Sequence, residues 1–539
     1  MTSLARATAL MSLGTVLSRI TGLLRLAAIA AALGVVESGR LTDTYNLANT
    51  APNIIYELIL GGVLTSVFVP VFVELLQKEG RERAWRVASA MINLTLIVLT
   101  AITVIGILAA PWIARLYAAR LDGPEAQLQQ EALTFLLRLF LPQIVFYGLT
   151  AATAGLLNAH KRFGAPMYTP ILNNLAVITI FLVFHQVYGH IGGLDDVSTT
   201  QLLVMGLGTS AGVALMAIAQ LPFLRGLGRY EPTLSIRHPS IRKLARLSVF
   251  VVGYVIANQI GYLIVQFLAN RQLGGYSAYV YAFTFFMLPH GLFAVSVITA
   301  LLPGMSQHAV NGRWDEFRGL LSTGVRATFL LVLPAAVGYL VLGEPIVRLM
   351  LEHGVMSGAS TELVADVLRF FVLGLVPFSI FQLFLRAFYA LQDTKTPFLI
   401  NCGAVVLNTV VNVMLFQVLQ VEGLAAGHAL AYVFGVALQA RFLASRIGGL
   451  DGRRIAAAGG RIGLAAAAMG VVVWASSRVL EPVLDTQAIA GQILAVGIPV
   501  FLGVGAYLVF CLLFKVEELE HVKGLVRRRL PTKSQGPEV

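Results

Sequence analysis

The sequence predicts an all-α polytopic membrane protein: about fourteen transmembrane helices, forming two six-helix lobes in parallel pseudo-two-fold repeat, with two further helices at the C-terminal end. Three observations carry this. Of 539 residues, 57 % are hydrophobic and only 12 % charged, where a soluble domain carries about 25 % charged residues. About fourteen apolar runs, bounded by charged or Gly/Pro punctuation, mostly approach the ~20 residues needed to cross a bilayer. Finally, features recur at an offset of about 231–235 residues: Pro142 with Phe146 as Pro377 with Phe381, Arg138 near Arg369, LNAHKRFGAP (157–166) as LQDTKTP (391–397), and Val69-Pro70 as Leu302-Pro303. An even number of spans, six, separates the copies, so both halves run in the same direction through the membrane.

The first run, about residues 10–36, contains SRITGLLR (18–25). It exceeds the roughly 7–15 apolar residues of a cleaved signal peptide and is expected to stay. A mid-run guanidinium costs at least ~2.5 kcal/mol, so Arg19 and Arg25 are expected to face a polar interior. Six residues apart, they lie about 120° apart around a helix and roughly 9 Å along it, within reach of one cavity. They either grip an anionic ligand or act as structural glue, paired with a carboxylate or snorkelling.

The second run, 42–76, places Asp43, Asn46, Asn49 and Asn53 at helical spacing, giving one polar face, while Pro52 and Gly61-Gly62 permit bending. Glu57, deeper in that run, has three open readings: counter-ion to Arg19 or Arg25, proton acceptor, or protonated core acid. Asp43 is expected near the outer surface, as a gate or as a helix N-cap competing with Thr42.

The later runs fall near 86–117, 130–158, 166–188, 199–224, 243–270, 276–305, 320–342, 362–391, 397–419, 423–445, 456–478 and 488–514. One alternate set of loops, with the termini, holds 27 of the 39 Lys and Arg residues. Both termini are therefore expected in the cytoplasm of a multi-pass cell-membrane protein. The expected organisation is an N-lobe at 1–224, a C-lobe at 225–445, an appended helix pair at 446–514 and a basic tail at 515–539. Arg326 is expected to snorkel to the interface. The net charge of +12 is explained by basic loops facing anionic lipid rather than by nucleic acid. Cys402 and Cys511, far apart in apolar runs, support neither a disulfide framework nor a thiolate metal site.

SRITGLLR followed by Thr42-Asp43, Pro52-Asn53 and FVPVF (68–72) resembles the start of the MurJ (MviN) family. These are lipid II flippases of the multidrug/oligosaccharidyl-lipid/polysaccharide exporter superfamily. The resemblance continues through LPQIVFYGL (141–149), LNAHKRFGAP, Asn173-Asn174, LGTSAG (207–212), MLPHGLFAVSVITALLP (287–303) and RAFYALQDTKTP (386–397). It implies two six-helix lobes around a central cavity and export of undecaprenyl-pyrophosphate-linked disaccharide pentapeptide, lipid II, by a monomer.

Arg19 and Arg25 match the cavity arginines of the family's first helix, and Asp43 its acidic residue on the second. The chain also departs from the pattern: Tyr56 and Gly61 stand where many members carry arginine and glutamate, and Phe283-Thr284 where many carry an Asp-Arg pair. Arg271 or Arg386 could substitute. The expected substrate-binding set is Arg19, Arg25, Asn53, Tyr56 and Glu57, with Asp43 gating. The Na⁺ site of some members is matched by Asn408, but Asn412 stands where the carboxylate should be. The principal charge for Na⁺ coupling is therefore missing, and the two asparagines serve equally well as helix–helix glue.

Arginine grips pyrophosphate bidentately, and a potential positive outside biases an empty cationic cavity inward by ~2.3 kcal/mol per charge per 100 mV. The expected function is thus alternating-access flipping, driven by membrane potential or an ion gradient, with the lipid tail along a groove at the appended helices. A drug or cation antiporter would place carboxylates in the cavity. An enzyme acting on polyprenyl phosphates would need an acidic metal cluster or a His base, for which His290 is a lone candidate. A non-transporting cell-wall scaffold is the remaining alternative.

Overall fold

The structure is a computed structural model that describes residues 3–59, 72, 78, 80–119, 121, 123–160, 162–233, 239–486 and 488–519. Gly61-Gly62, Val69-Pro70 and the tail beyond residue 519 lie outside the described residues. Those residues form helices and connecting turns, with no strand among them. The helices are α1 (Ser3–Leu33), α2 (Leu41–Ile59), α3 (Gly80–Ala118), α4 (Pro124–Phe140), α5 (Gln143–Ala159), α6 (Gly164–Tyr188), α7 (Thr199–Ile218) and α8 (Pro239–Ala269). They continue as α9 (Gly275–Pro289), α10 (Val295–Val310), α11 (Trp314–Leu351), α12 (Gly358–Leu373), α13 (Leu375–Ala390), α14 (Lys395–Ile447), α15 (Gly452–Leu480) and α16 (Ile489–Leu513).

Among the described residues, ten helical segments are long and apolar enough to cross a membrane, or eleven if the bent pair α12–α13 counts as one. The expectation of fourteen differs at three places. Helix α2 carries a polar face and is described only to Ile59. In α8 the side chains are described only from Gly253, and the apolar piece Gly253–Ala269 is by itself too short to count as a span. The eleventh and twelfth runs are joined in the 53-residue α14, interrupted only at Gln420 (φ 52°, ψ −131°).

Local chemistry sets several boundaries. Ser198 and Gln201 form a reciprocal capping box that starts α7: the Gln201 amide donates to Ser198 Oγ (3.3 Å), and the Ser198 amide to Gln201 Oε1 (2.7 Å). The 48° break between α12 and α13 falls at Gly374. A Cβ there would lie 2.8 Å from the Cα of Ala429, so only glycine admits this approach. Between α9 and α10, His290–Ala294 forms a single π-helical turn.

The chain divides into two compact units: Met1–Thr284 with Met350–Val367 and Thr394–Gly427, and Phe285–Leu349 with Leu368–Asp393 and His428–Val539. In the first, α1 is held along α6 by Asn174, whose amide donates to Ser18 O (3.2 Å) and Thr21 Oγ1 (3.0 Å). This unit extends past residue 224 because α2 hydrogen-bonds to the start of α9. In the second, α15 and α16 pack on α11 around Leu330, Ile462, Ala465, Ala466, Met469 and Tyr507. Small residues bring these backbones together; a Cβ on Gly503 would lie 2.6 Å from Val473. The expectation for Arg326 is corrected here: it does not snorkel but is buried and ion-paired with buried Glu518, just beyond α16. A chain folding back after α16 supplies the partner that the run itself lacks.

Candidate functional site

Helix α2 has enough polar residues to bond in several directions. Tyr45 Oη lies 2.9 Å from Thr209 Oγ1 of α7, and Asn53 Nδ2 donates to Asn49 O (3.0 Å) one turn back. These groups line a chamber of about 70 Å³ with Arg25, Tyr147, Asn173, Val177 and Val213. Arg25 is half-buried, and no carboxylate lies within ion-pair distance of it among the described residues. The chamber therefore combines one fixed positive charge with amide and hydroxyl groups, and Asn173 Oδ1 is buried without a donor. A cation in such surroundings, without a counter-ion, favours an anionic occupant.

The other expected residues are dispersed. Arg19, six residues before Arg25, is exposed. Tyr56 stacks on Tyr147 with centroids 4.4 Å apart and packs with Val213 and Met216. Glu57 accepts from Gln259 Nε2 (2.7 Å) and makes no ion pair with Arg19 or Arg25. The counter-ion reading of Glu57 thus gives way to an amide hydrogen bond, because α8 brings Gln259 closer than either arginine. Thr284 bonds back to Val280 O (2.9 Å), while Phe283 stacks on Tyr279. The two arginines that could have substituted lie over rings, Arg271 over Phe416 at 5.5 Å and Arg386 over Tyr389 at 5.7 Å.

Asp43 is fully buried near the start of α2 but does not cap that helix. Its Oδ1 accepts from the Ser277 amide (2.8 Å) and hydroxyl (2.6 Å), so it caps the first turn of α9 instead. Around it is a polar network that sequence reasoning missed. Arg40 donates to Asn270 O (2.7 Å) and pairs with Glu125 (3.1 Å). Asn270 exchanges amide bonds with Gln129 (2.9 and 3.1 Å). Tyr276 Oη receives Gln266 Nε2 (2.9 Å) and donates to Thr50 (2.8 Å). The available signal was polar residues in apolar runs, such as Gln259, Gln266 and Asn270, which demand partners inside the protein. Asn173-Asn174 carried the same signal for the chamber.

Asn408 and Asn412, the expected remnant of a Na⁺ site, bond each other: Asn412 Nδ2 donates to Asn408 Oδ1 at 3.0 Å. A Cβ on Gly427 would lie 2.0 Å from Asn412 Oδ1, so this pair sits in a close helix contact. Among the described residues, no three His, Cys, Asp or Glu side chains gather as a metal site.

A family model described as "Lipid II flippase MurJ" matches residues 29–489. A probable lipid II flippase MurJ of Rhizobium meliloti (strain 1021) is 30 % identical over 417 residues, 77 % of this chain and 76 % of that protein. One of Rhizobium tropici is 28 % identical, covering 96 % of this chain and 95 % of its own length. Among solved structures, a lipid II flippase MurJ in an inward closed conformation superposes with a TM-score of 0.76 at 23 % identity, covering 95 % of this chain and all of that one. An inward-facing MATE family transporter of the MOP superfamily gives 0.64 at 13 % identity, over 80 % of this chain and 95 % of its own.

Proposed function

Because the chain belongs to the lipid II flippase MurJ family, we propose that it carries lipid II from the cytoplasmic to the outer leaflet of the cell membrane by alternating access, as a transporter without catalytic chemistry. The observation that carries the reading is Arg25: a half-buried guanidinium in a polar chamber with no carboxylate beside it among the described residues. The pyrophosphate supplies the missing negative charge, and the planar fork of arginine matches it bidentately. Asn53 and Tyr56 frame the approach, while Arg19, exposed further along α1, receives the headgroup first. The ~55-carbon tail stays in lipid, where each buried CH₂ is favoured by ~0.8 kcal/mol, along α15 and α16.

The distribution of Lys and Arg assigns both termini to the cytoplasm and the α1–α2 turn to the outside. In this orientation, Asp43 and Ser277 close the outer end of the path. An unneutralised Arg25 makes the empty carrier responsive to membrane potential, so a voltage-driven return is favoured over Na⁺ coupling through Asn408 and Asn412.

The test is complementation of cells depleted of their own lipid II flippase. Arg25→Ala is expected to reach the membrane at normal level, fail to support growth and leave lipid II in the inner leaflet, with Arg25→Lys restoring only part. Full complementation by Arg25→Ala would overturn the assignment.

A further inference from the structure

A second cavity, of about 340 Å³, lies at the opposite end of the same unit from Asp43, lined by Arg81, Glu82, Trp85, Gly228, Arg229 and Glu231. It forms because the segment after α7 is laced along one face of α3 by residues four apart. Arg81 donates to Leu227 O (2.7 Å) and to Gly226 O. Ser89 Oγ accepts from the Glu231 amide (3.1 Å), and Asn93 donates to Thr233 O (2.9 Å) and accepts from Tyr230. Trp85 lies beneath Gly228, where a Cβ would come within 2.1 Å of the indole nitrogen.

The binding groups around the cavity are not equally engaged. Arg81 is committed to carbonyls, and Glu231 pairs with Arg86 (3.0 Å). Arg229 and Glu82 have no ion-pair partner among the described residues. Trp85 is 5 % exposed, and its N–H has no acceptor. Arg229, the Trp85 N–H and Glu82 are thus the unengaged groups in a space lined by two arginines, one tryptophan and two carboxylates. The cavity also sits where two membrane-crossing segments end, Thr199–Leu224 and Gly80–Ala118. Leu221 and Phe223, at the end of the first of these segments, are exposed, as expected of side chains that meet lipid.

We propose that this cavity binds the headgroup of a zwitterionic amino-phospholipid of the phosphatidylethanolamine type. The phosphate sits on Arg229 and the Trp85 N–H, and the primary ammonium on Glu82. The shared chemistry is a phosphate joined to a protonated amine. The position at the ends of two spans makes a membrane lipid the occupant rather than free phosphate or a soluble phosphoamine. A bound headgroup bridges α3 to the segment after α7 and stiffens that connection.

The experiment uses the full chain purified in detergent. The thermal midpoint is followed while adding short-chain phosphatidylethanolamine, phosphatidylcholine, phosphatidylglycerol, inorganic phosphate or phosphoethanolamine. Phosphatidylethanolamine is expected to raise the midpoint at lower concentration than the others. Glu82→Gln should reduce its apparent affinity to that of phosphatidylcholine, whose ammonium has no N–H. Arg229→Gln should weaken it about tenfold, the scale of one lost charge-assisted contact. Trp85→Phe, which keeps the ring and removes only the donor, should weaken binding without lowering the lipid-free midpoint as far as Trp85→Ala does. An equal response to phosphatidylglycerol, or to inorganic phosphate or phosphoethanolamine, would overturn the headgroup assignment. Unchanged binding in Arg229→Gln and Glu82→Gln would overturn the site.

Discussion

Asp43 illustrates how one side chain serves a partner far along the chain. It accepts two hydrogen bonds from Ser277, 234 residues away. Asp43→Ala should strand a buried amide and hydroxyl at about 1–3 kcal/mol each, lowering the thermal midpoint and speeding hydrogen exchange at the Ser277 amide. Asp43→Asn retains an acceptor and should lose less. At Glu57 the expectation reverses. Its partner is an amide donor, and Glu57→Gln keeps an acceptor for Gln259. That variant should export lipid II at close to the parental rate in the depleted-cell assay, whereas dependence on the negative charge would appear as lost export. Arg25 has no such substitute, and its removal should be felt in transport rather than in folding.

Among the elements, the seam between α11 and the α15–α16 pair combines apolar packing, a buried hydrogen bond from the Tyr507 hydroxyl to Leu330 O (2.7 Å) and the buried Arg326–Glu518 ion pair. Breaking that pair from either side, by Arg326→Met or Glu518→Leu alone, leaves an uncompensated charge and should cost about 3–5 kcal/mol. The double variant should recover most of this, which thermal unfolding of the three proteins measures. Sequence reading reached the helices through properties that belong to single segments: apolar length, the polar face of Asp43, Asn46 and Asn49, and a mid-run arginine. It placed Arg25 in a cavity because burial of a charge is expensive wherever the helix lies. It misjudged Arg326 and left three readings of Glu57 open, because each outcome depends on which side chain another segment brings near. A Lys/Arg count cannot foresee Glu518 folding back, nor can an apolar run reveal Gln259.

At the scale of the molecule, the turn between α1 and α2 is tied to the segment before α12. Gly354 (φ 63°) lies so close that a Cβ would fall 2.3 Å from Ala31 O, and the Val355 amide donates to that oxygen at 2.9 Å. Beside it, Glu37 accepts from the Ser357 hydroxyl and amide (2.9 Å for the latter) and from Ser360 Oγ (2.8 Å). Burial alone would raise the Glu37 carboxyl, but the donors from Ser357 and Ser360 prevail and hold it below its ordinary value. A depressed carboxyl stabilises the folded form above the unfolded-state pKa and loses that contribution as pH falls through the folded one. The protection factor of the Ser357 amide, which donates to Glu37, should therefore be high at neutral pH and fall on acidification below the ordinary glutamate range, a fall that Glu37→Gln should abolish.

The link between Asp43 and Ser277 also sets an order of events during synthesis. Chains grow at about 5–20 residues per second, so roughly 10–50 s pass between the emergence of these two residues. Throughout that interval Asp43, Arg40 and Asn46 have entered or approached the bilayer without their final partners. The early helices must wait as a loosely joined set until α8 and α9 arrive, and chains arrested before Ser277 should be degraded far faster than chains arrested after α9. A bond that closes the mature protein is, for the nascent one, the moment at which its first half becomes able to persist.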